Sequence, residues 1–455
     1  MSIPGYFIAI IGGAVAGSEA AARLAERGIP SVVFEQNSLP YGKLETGLPK
    51  WHVNLRNSQE EKIDSKLDQP LIHFIPSVRL GKDLHITDLI QEWNFSAIML
   101  ATGAWKDRLL PVRGIEAYVD KGFYYQNPFV AWFNQNHDPA YDGPSFEVPD
   151  ETIVIGGGLA SLDVIKILSI ESIRRALEHK GYEIDPFTLE KDGVFEVLKK
   201  FGLSIAQLGL HGCTLYYRRR LIDMPLTSLP VSPTPKELDT AYRVRKKIMD
   251  NFQSKYFFRF EECHSPVDFI SSNGRLGGLV FERTQVVEGK LVPVPDSRHA
   301  VNAPQVISAI GSLPEPLSGI PCRGDVFQIK DEASGQLEGF ENVFALGNAV
   351  TGRGNIKESQ MHGRRVSEKV MDEYLAWQEE DYREIFNRAE KNAHARIDQI
   401  HTYLKKRDFL DPEQIEDIKH RIKILQEKVG YHGNYRAWIK KHLPPRLEDI
   451  MGLDV

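Results

Sequence analysis

Short all-apolar runs alternate with helix-length amphipathic segments along the first three quarters of the chain. That alternation predicts parallel sheets joined by crossover helices. Residues 7–11 read as a buried strand, the alanine-rich 18–27 as the helix that follows, closed by Gly28, and 31–34 as the next strand. A second strand-then-helix unit occupies 151–168, with its first strand at 152–155. Further strands are expected at 97–100, 213–217, 305–310 and 342–346.

The pattern changes near residue 376, where the chain becomes charged and helical. Ile415, Ile418, Ile422, Leu425 and Val429 recur at alternating spacings of three and four, behind Asp411 as an N-cap and Pro412 at the first helical position. Ile397, Ile400 and Leu404 repeat similarly in 380–406, so the two segments read as an antiparallel helical hairpin. The stripe either packs onto the chain's own domains or docks a partner or a second copy.

Both strand-to-helix junctions are glycine turns. At the first, Gly12, Gly13, Ala14 and Gly17 precede the helix, and Glu35 ends the next strand, where an acid can hold an adenosine ribose. Ala14 puts a methyl where the middle glycine of the pattern usually stands. At the second turn, Gly156, Gly157, Gly158, Leu159, Ala160 and Ser161 lead into a helix, and the next strand ends in Arg218, Arg219 and Arg220. Guanidinium groups there suit a ribose 2′-phosphate, which favours NADPH over NADH; the alternative is a solvated basic turn.

The chain has 455 residues and a formal net charge of -6, long enough for two or three domains and too acidic for a general nucleic-acid binder. No run is apolar enough to span a membrane, and a cytoplasmic protein is expected. Cys213, Cys263 and Cys322 are far apart, so neither a disulfide pair nor an iron–sulfur cluster is expected within the chain, and no metal site is read. Electrons would have to leave for an outside acceptor. The small-residue exit Ala101, Thr102, Gly103 and Ala104 and the strand at 305–310 mark where the chain leaves and re-enters its first unit. The expected fold class is α/β: two Rossmann-like domains, 1–111 with 305–375 and an inserted 112–304, then a helical extension, 376–455.

These motifs resemble the adrenodoxin reductase family of NADPH–ferredoxin reductases over about 1–370. The resemblance rests on ATGA at 101–104, GGGLASLDVIKIL at 156–168, YYRRR at 216–220, FRFEECHSPVDF at 258–269 and GNAVTGRGNIKES at 347–359. The segment YRRRLIDMP at 217–225 is also similar to the small subunit of glutamate synthase. The resemblance implies FAD on Gly12, Gly13, Ala14, Gly17 and Glu35, with Leu44, Thr102, Gly347, Asn348, Asn355 and Ile356 also lining its site. It implies NADPH on Gly156, Gly158, Leu159, Ala160, Ser161, Arg218 and Arg219, with Glu237 as an acid in the cleft. His52 and Asp163 match residues beside the reacting rings; a surface loop histidine and a helix-start acid are the alternatives. Asn348 stands where many relatives of this fold have Asp.

The implied activity is hydride transfer from NADPH to flavin N5 followed by single-electron steps to a ferredoxin-like iron–sulfur protein. An electron-entry subunit of a larger complex and a catalytically altered flavin scaffold are the alternatives. Arg243, Arg245, Lys246 and Lys247 form a candidate basic dock for an acidic acceptor, or a solvated helix face.

Overall fold

The computed structural model describes residues 5–226, 234–347, 349 and 374–453. Its largest sheet has seven strands. Ile8–Ile11 runs parallel between Ser31–Phe34 and Ala97–Leu100, and Ile72–Ile75 extends the sheet beyond Ser31–Phe34. On the other side, Val343–Ala345 pairs parallel with Ala97–Leu100, and two short antiparallel strands complete that edge. A late strand therefore lies two positions from the amino-terminal strand, with Ala97–Leu100 between them.

The second sheet has five parallel strands in the order Phe123–Tyr125, Val306–Ala309, Ile153–Gly156, Cys213–Tyr217, Phe258–Glu262, so the strand at 305–310, expected to re-enter the first unit, belongs instead to the inserted one, and the chain returns only after it. Helix Leu159–Glu178 packs on it, burying Leu162, Ile165 and Ile173. Where the chain crosses between the two sheets, Lys106–Asp107 and Ser312–Leu313 pair as a two-stranded ribbon. Lys43 braces this joint, donating to Asn127 Oδ1 and Ser312 Oγ at 3.0 Å each; burial pushes its ammonium down to about 8.

Strand alternation sends Ile8 and Ile10 to one face of the seven-stranded sheet and Phe7, Ala9 and Ile11 to the other. The first face receives Ala20, Ala21 and Leu24 of helix Val15–Glu26 together with Ile397, Ile400 and Leu404 of the long helix Tyr374–Leu404. The opposite face receives Ile418 and Ile422 of helix Pro412–Lys428. Helix Tyr435–His442 then returns to the first face through Tyr435, Trp438 and Ile439.

The expected hairpin is thus corrected. The apolar stripes of the two helices are buried against opposite faces of one sheet, and residues 405–411 carry the chain around it. A three-and-four repeat specifies a buried face without naming what covers it, and here the first domain's own layers do, helix Val15–Glu26 over the first stripe and the sheet over the second. Asp411 does cap its helix: its side chain accepts from Gln414 N, the Gln414 side chain returns to Asp411 N, and Pro412 is the first helical residue.

Candidate dinucleotide and redox site

At the first turn the backbone leaves no room for side chains. Gly12 has a φ of +101°, and a Cβ there would lie 2.5 Å from the Ala101 carbonyl oxygen; one on Gly17 would lie 1.8 Å from the Gly12 oxygen. Gly13 N donates to Glu35 Oε2 at 2.8 Å, and Asn37 donates to Oε1 through its backbone at 2.9 Å and its side chain at 3.1 Å. Glu35 is buried, which raises its carboxyl, and the hydrogen bonds from Gly13 and Asn37 oppose that rise.

Ala14 is the N-cap of helix Val15–Glu26, with no side-chain cap and no acid in the first turn. The helix therefore presents unopposed amides, the arrangement that receives a phosphate. Its methyl faces Gly42, whose own Cβ would sit 3.0 Å away, so the extra carbon is accommodated by a glycine opposite. Thr102 Oγ1 is buried with no hydrogen-bond partner among the described residues, and a Cβ on Gly347 would press on Ala16 at 2.9 Å. A thin backbone cradle with an orphaned hydroxyl fits a dinucleotide. Leu44 is buried in the core of this domain. Asn348, Asn355 and Ile356 lie outside the described residues.

The second turn is built differently. A Cβ on Gly156 would lie 2.5 Å from Ser161 Cβ and 2.6 Å from the Ala309 oxygen, and one on Gly157 would enter the Tyr217 ring at 2.2 Å. Gly158 is the N-cap of helix Leu159–Glu178, so Leu159, Ala160 and Ser161 form the first turn; Ser161 Oγ donates to the Gly158 oxygen at 2.6 Å.

The arginine run at the end of Cys213–Tyr217 is divided by its partners. Arg220 pairs with Asp223 at 3.0 Å and Arg219 reaches the same carboxylate at 3.7 Å, whereas Arg218 is exposed and meets no carboxylate among the described residues.

Two expectations change. Glu237 is fully exposed, and its carboxylate accepts from Thr234 N at 2.7 Å and Thr234 Oγ1 at 2.8 Å, completing a capping box at the start of helix Pro235–Lys255. The Thr-x-x-Glu spacing, with Pro235 at the first position, was a readable sign of that role. In the basic stretch, Arg245 is buried and donates to the Ile222 oxygen, so only its neighbours face outward; Arg243 pairs with Asp239 at 2.9 Å.

His52 and Asp163 come from different domains and are brought together by a third residue, Tyr382 of the C-terminal helix. The Tyr382 hydroxyl donates to Asp163 Oδ2, and its ring centroid lies 5.4 Å from that of His52. His52, the N-cap of helix Val53–Leu67, is buried, and its Nε2 has no partner among the described residues. Burial, reinforced by nearby Lys166, holds its imidazole well below the usual range, so the ring is neutral.

Burial pushes Asp163 up to about 6, while Tyr382 and Lys166 pull the other way. Lys166, wholly buried, pairs with Glu190 and stands 4.4 Å over the Trp51 ring. No local signal in the sequence pointed to Tyr382. The three cysteines are all free: Cys213 is buried in its strand and pushed up to about 12, Cys263 is at a turn and Cys322 is exposed.

Two parallel-sheet dinucleotide folds, each with a side-chain-free glycine turn opening a helix, define the class of two-domain flavin and pyridine-nucleotide oxidoreductases. The family model described as pyridine nucleotide-disulphide oxidoreductase matches residues 6–171. The glutamate synthase [NADPH] small chain of Mycobacterium tuberculosis is 30% identical over 82% of this chain and 67% of its own length. The mitochondrial NADPH:adrenodoxin oxidoreductase of Arabidopsis thaliana is 24% identical over 69% of each chain.

Among solved structures, Mycobacterium tuberculosis FprA in complex with NADPH superimposes with a TM-score of 0.65, at 17% identity, over 93% of this chain and 91% of that one. At 30% identity over 82% of its own length and 67% of that relative, the chain belongs to the family of the glutamate synthase small chain, with adrenodoxin reductase homologues and a pyridine nucleotide-disulphide oxidoreductase match confined to residues 6–171. It is a ferredoxin–NADP reductase-like flavoprotein whose cofactors are FAD and NADPH. Among the described residues, no helix is long and apolar enough to cross a membrane.

Proposed function

We propose that this chain oxidises NADPH and delivers the electrons singly to an iron–sulfur protein of ferredoxin type. The observation that carries the reading is the pairing of two glycine cradles with unlike strand ends, a buried acid after the first and arginines after the second. FAD would be held by Gly12, Gly13, Ala14 and Gly17, with Glu35, Thr102 and Gly347 beside them. NADPH would be held by Gly156, Gly158, Leu159, Ala160 and Ser161, with Arg218 and Arg219 as the groups for its 2′-phosphate.

When bound, the flavin supplies the chemistry, accepting hydride from the nicotinamide at N5 and releasing electrons one at a time. The chain's own residues align and shield. His52, buried with its imidazole held well below the usual range, and Asp163, whose carboxyl burial pushes up to about 6, would border the rings, excluding water and taking up or releasing a proton at the carboxyl. The three isolated cysteines support an acceptor outside the chain. The exposed members of the basic stretch, Arg243 and Lys246, are the candidate dock for an acidic acceptor.

A second reading, an electron-entry subunit of a larger enzyme, is favoured by the similarity to the glutamate synthase small chain. The deciding experiment is anaerobic addition of NADPH to the purified protein, followed by a ferredoxin. Bleaching of a flavin band and then reduction of the ferredoxin is the expected sequence. Bleaching without ferredoxin reduction moves the acceptor to a partner subunit, and absence of bleaching rejects the reductase.

A further inference from the structure

Tyr382, an aromatic side chain of the C-terminal extension, stands at the junction of the two nucleotide domains. Its hydroxyl donates to Asp163, on the helix that follows the second glycine turn, and its ring is set at 62° to the His52 imidazole, on the segment after the first. The helix that carries it is fixed from behind. Ile397, Ile400 and Leu404 are wholly buried, Lys66 bonds Glu390 at 2.7 Å, and Arg27 pairs with Asp398. A hydroxyl held on such a support can keep a carboxylate in one rotamer.

We propose that Tyr382 is a positioning residue of the nicotinamide–flavin site, so that the C-terminal extension completes the redox centre rather than merely covering the first domain. This rests on the reading of His52 and Asp163 as residues that border the reacting rings. Asp163 is faced by Tyr382 from the C-terminal helix, by Lys166 on its own helix and by Glu190 from helix Pro186–Asp192; His52, whose ring meets Tyr382, stands at the start of Val53–Leu67. Of these, Tyr382 is the neutral donor, and its hydrogen bond favours the ionised carboxylate. Removing the hydroxyl alone therefore makes Asp163 hold its proton to higher pH, and leaves the ring against His52.

The test uses full-length, flavin-loaded protein carrying Tyr382→Phe. Its first readout is the pH profile of kcat/KM for NADPH with a small dye. Its second, free of turnover, is the pH midpoint at which NADP+ perturbs the flavin absorption spectrum. Both midpoints on the acid side are expected to move up by roughly one pH unit, and Asp163→Asn should abolish the same limb. A limb that Asp163→Asn removes but Tyr382→Phe leaves in place would reduce Tyr382 to a packing residue and overturn the proposal. A limb untouched by Asp163→Asn would instead overturn the assignment of Asp163 on which the proposal rests.

Discussion

Arg446 grips Glu45 through both terminal nitrogens, at 2.8 and 2.9 Å, and the second of them also reaches Glu60 at 2.8 Å. Glu45 belongs to the short helix that follows Gly42, opposite the first glycine turn, and Arg446 to the last stretch of the chain. Two residues further on, Glu448 pairs with Arg56, and just before Arg446 the Pro445 oxygen meets His137 of the inserted domain at 3.0 Å. The chain's end therefore touches both domains at their joint. Arg446→Ala leaves largely buried Glu45 without its cation and Glu60 with only Arg56, at 3.8 Å, and should cost about 3–5 kcal/mol, read by urea unfolding. A loss under about 1 kcal/mol would class the pair as a surface bridge.

The burial of the C-terminal stripe makes a sharper prediction. Ile400 and Ile418 are wholly inaccessible on opposite faces of the same sheet. Each change to Ala should destabilise by about 2–5 kcal/mol, and removal of everything after residue 375 should give a protein that neither folds nor retains flavin. A truncated protein with normal flavin content would return these helices to the docking role that the sequence left open.

The parts of the site legible in the sequence were those with local causes. Gly12, Gly17 and Gly156 announce themselves because close backbone contacts forbid a side chain within a few residues of the motif. The arginines at 218–220 were legible as charge, but Asp223, which occupies two of them, became relevant only once the turn was built. Tyr382 was invisible because its partner Asp163 lies 219 residues away, and a single hydrogen bond across that distance has no periodicity to betray it. The same holds for the extension: its stripe was plain, yet the sheet face each helix would cover is a property of the assembled domain.

Ala14 tests how closely the first turn approaches its ligand. The methyl is tolerated because Gly42 stands opposite, with 3.0 Å to where its Cβ would be. Ala14→Val adds bulk at the N-cap, next to amides that must remain open to a phosphate. The variant should fold and purify largely without FAD, measured as the flavin-to-protein absorbance ratio. Full flavin content would remove this position from the phosphate contact.

The contributions of Glu60 and Asp107 to stability should fall as pH rises through the neutral range. Burial pushes Glu60 up to about 7 and Asp107 up to about 6, each above its ordinary carboxylate value. Groups whose folded pKa is raised stabilise fully below the ordinary value, and that contribution is lost as pH rises through the folded pKa. Urea unfolding of the wild type relative to Glu60→Gln should thus show a difference that declines from about pH 5 to 7.5, with Glu60 contributing about 1–3 kcal/mol. A difference that stays constant over that range would reject Glu60 as its source.

Coenzyme choice should depend unequally on the arginines. Arg219 and Arg220 share Asp223, at 3.7 and 3.0 Å, so part of their charge is already neutralised, while Arg218 meets no carboxylate among the described residues. A charge-assisted hydrogen bond contributes about 1.5–3 kcal/mol, or roughly ten- to a hundredfold in apparent affinity. Arg218→Ala should therefore raise the KM for NADPH by about that factor and leave NADH almost unaffected, with Arg219→Ala producing a smaller change. Asp223→Asn, by releasing both neighbours, should strengthen the preference for NADPH. Steady-state comparison of the two coenzymes decides it: equal losses with both in Arg218→Ala would show that the 2′-phosphate is held elsewhere.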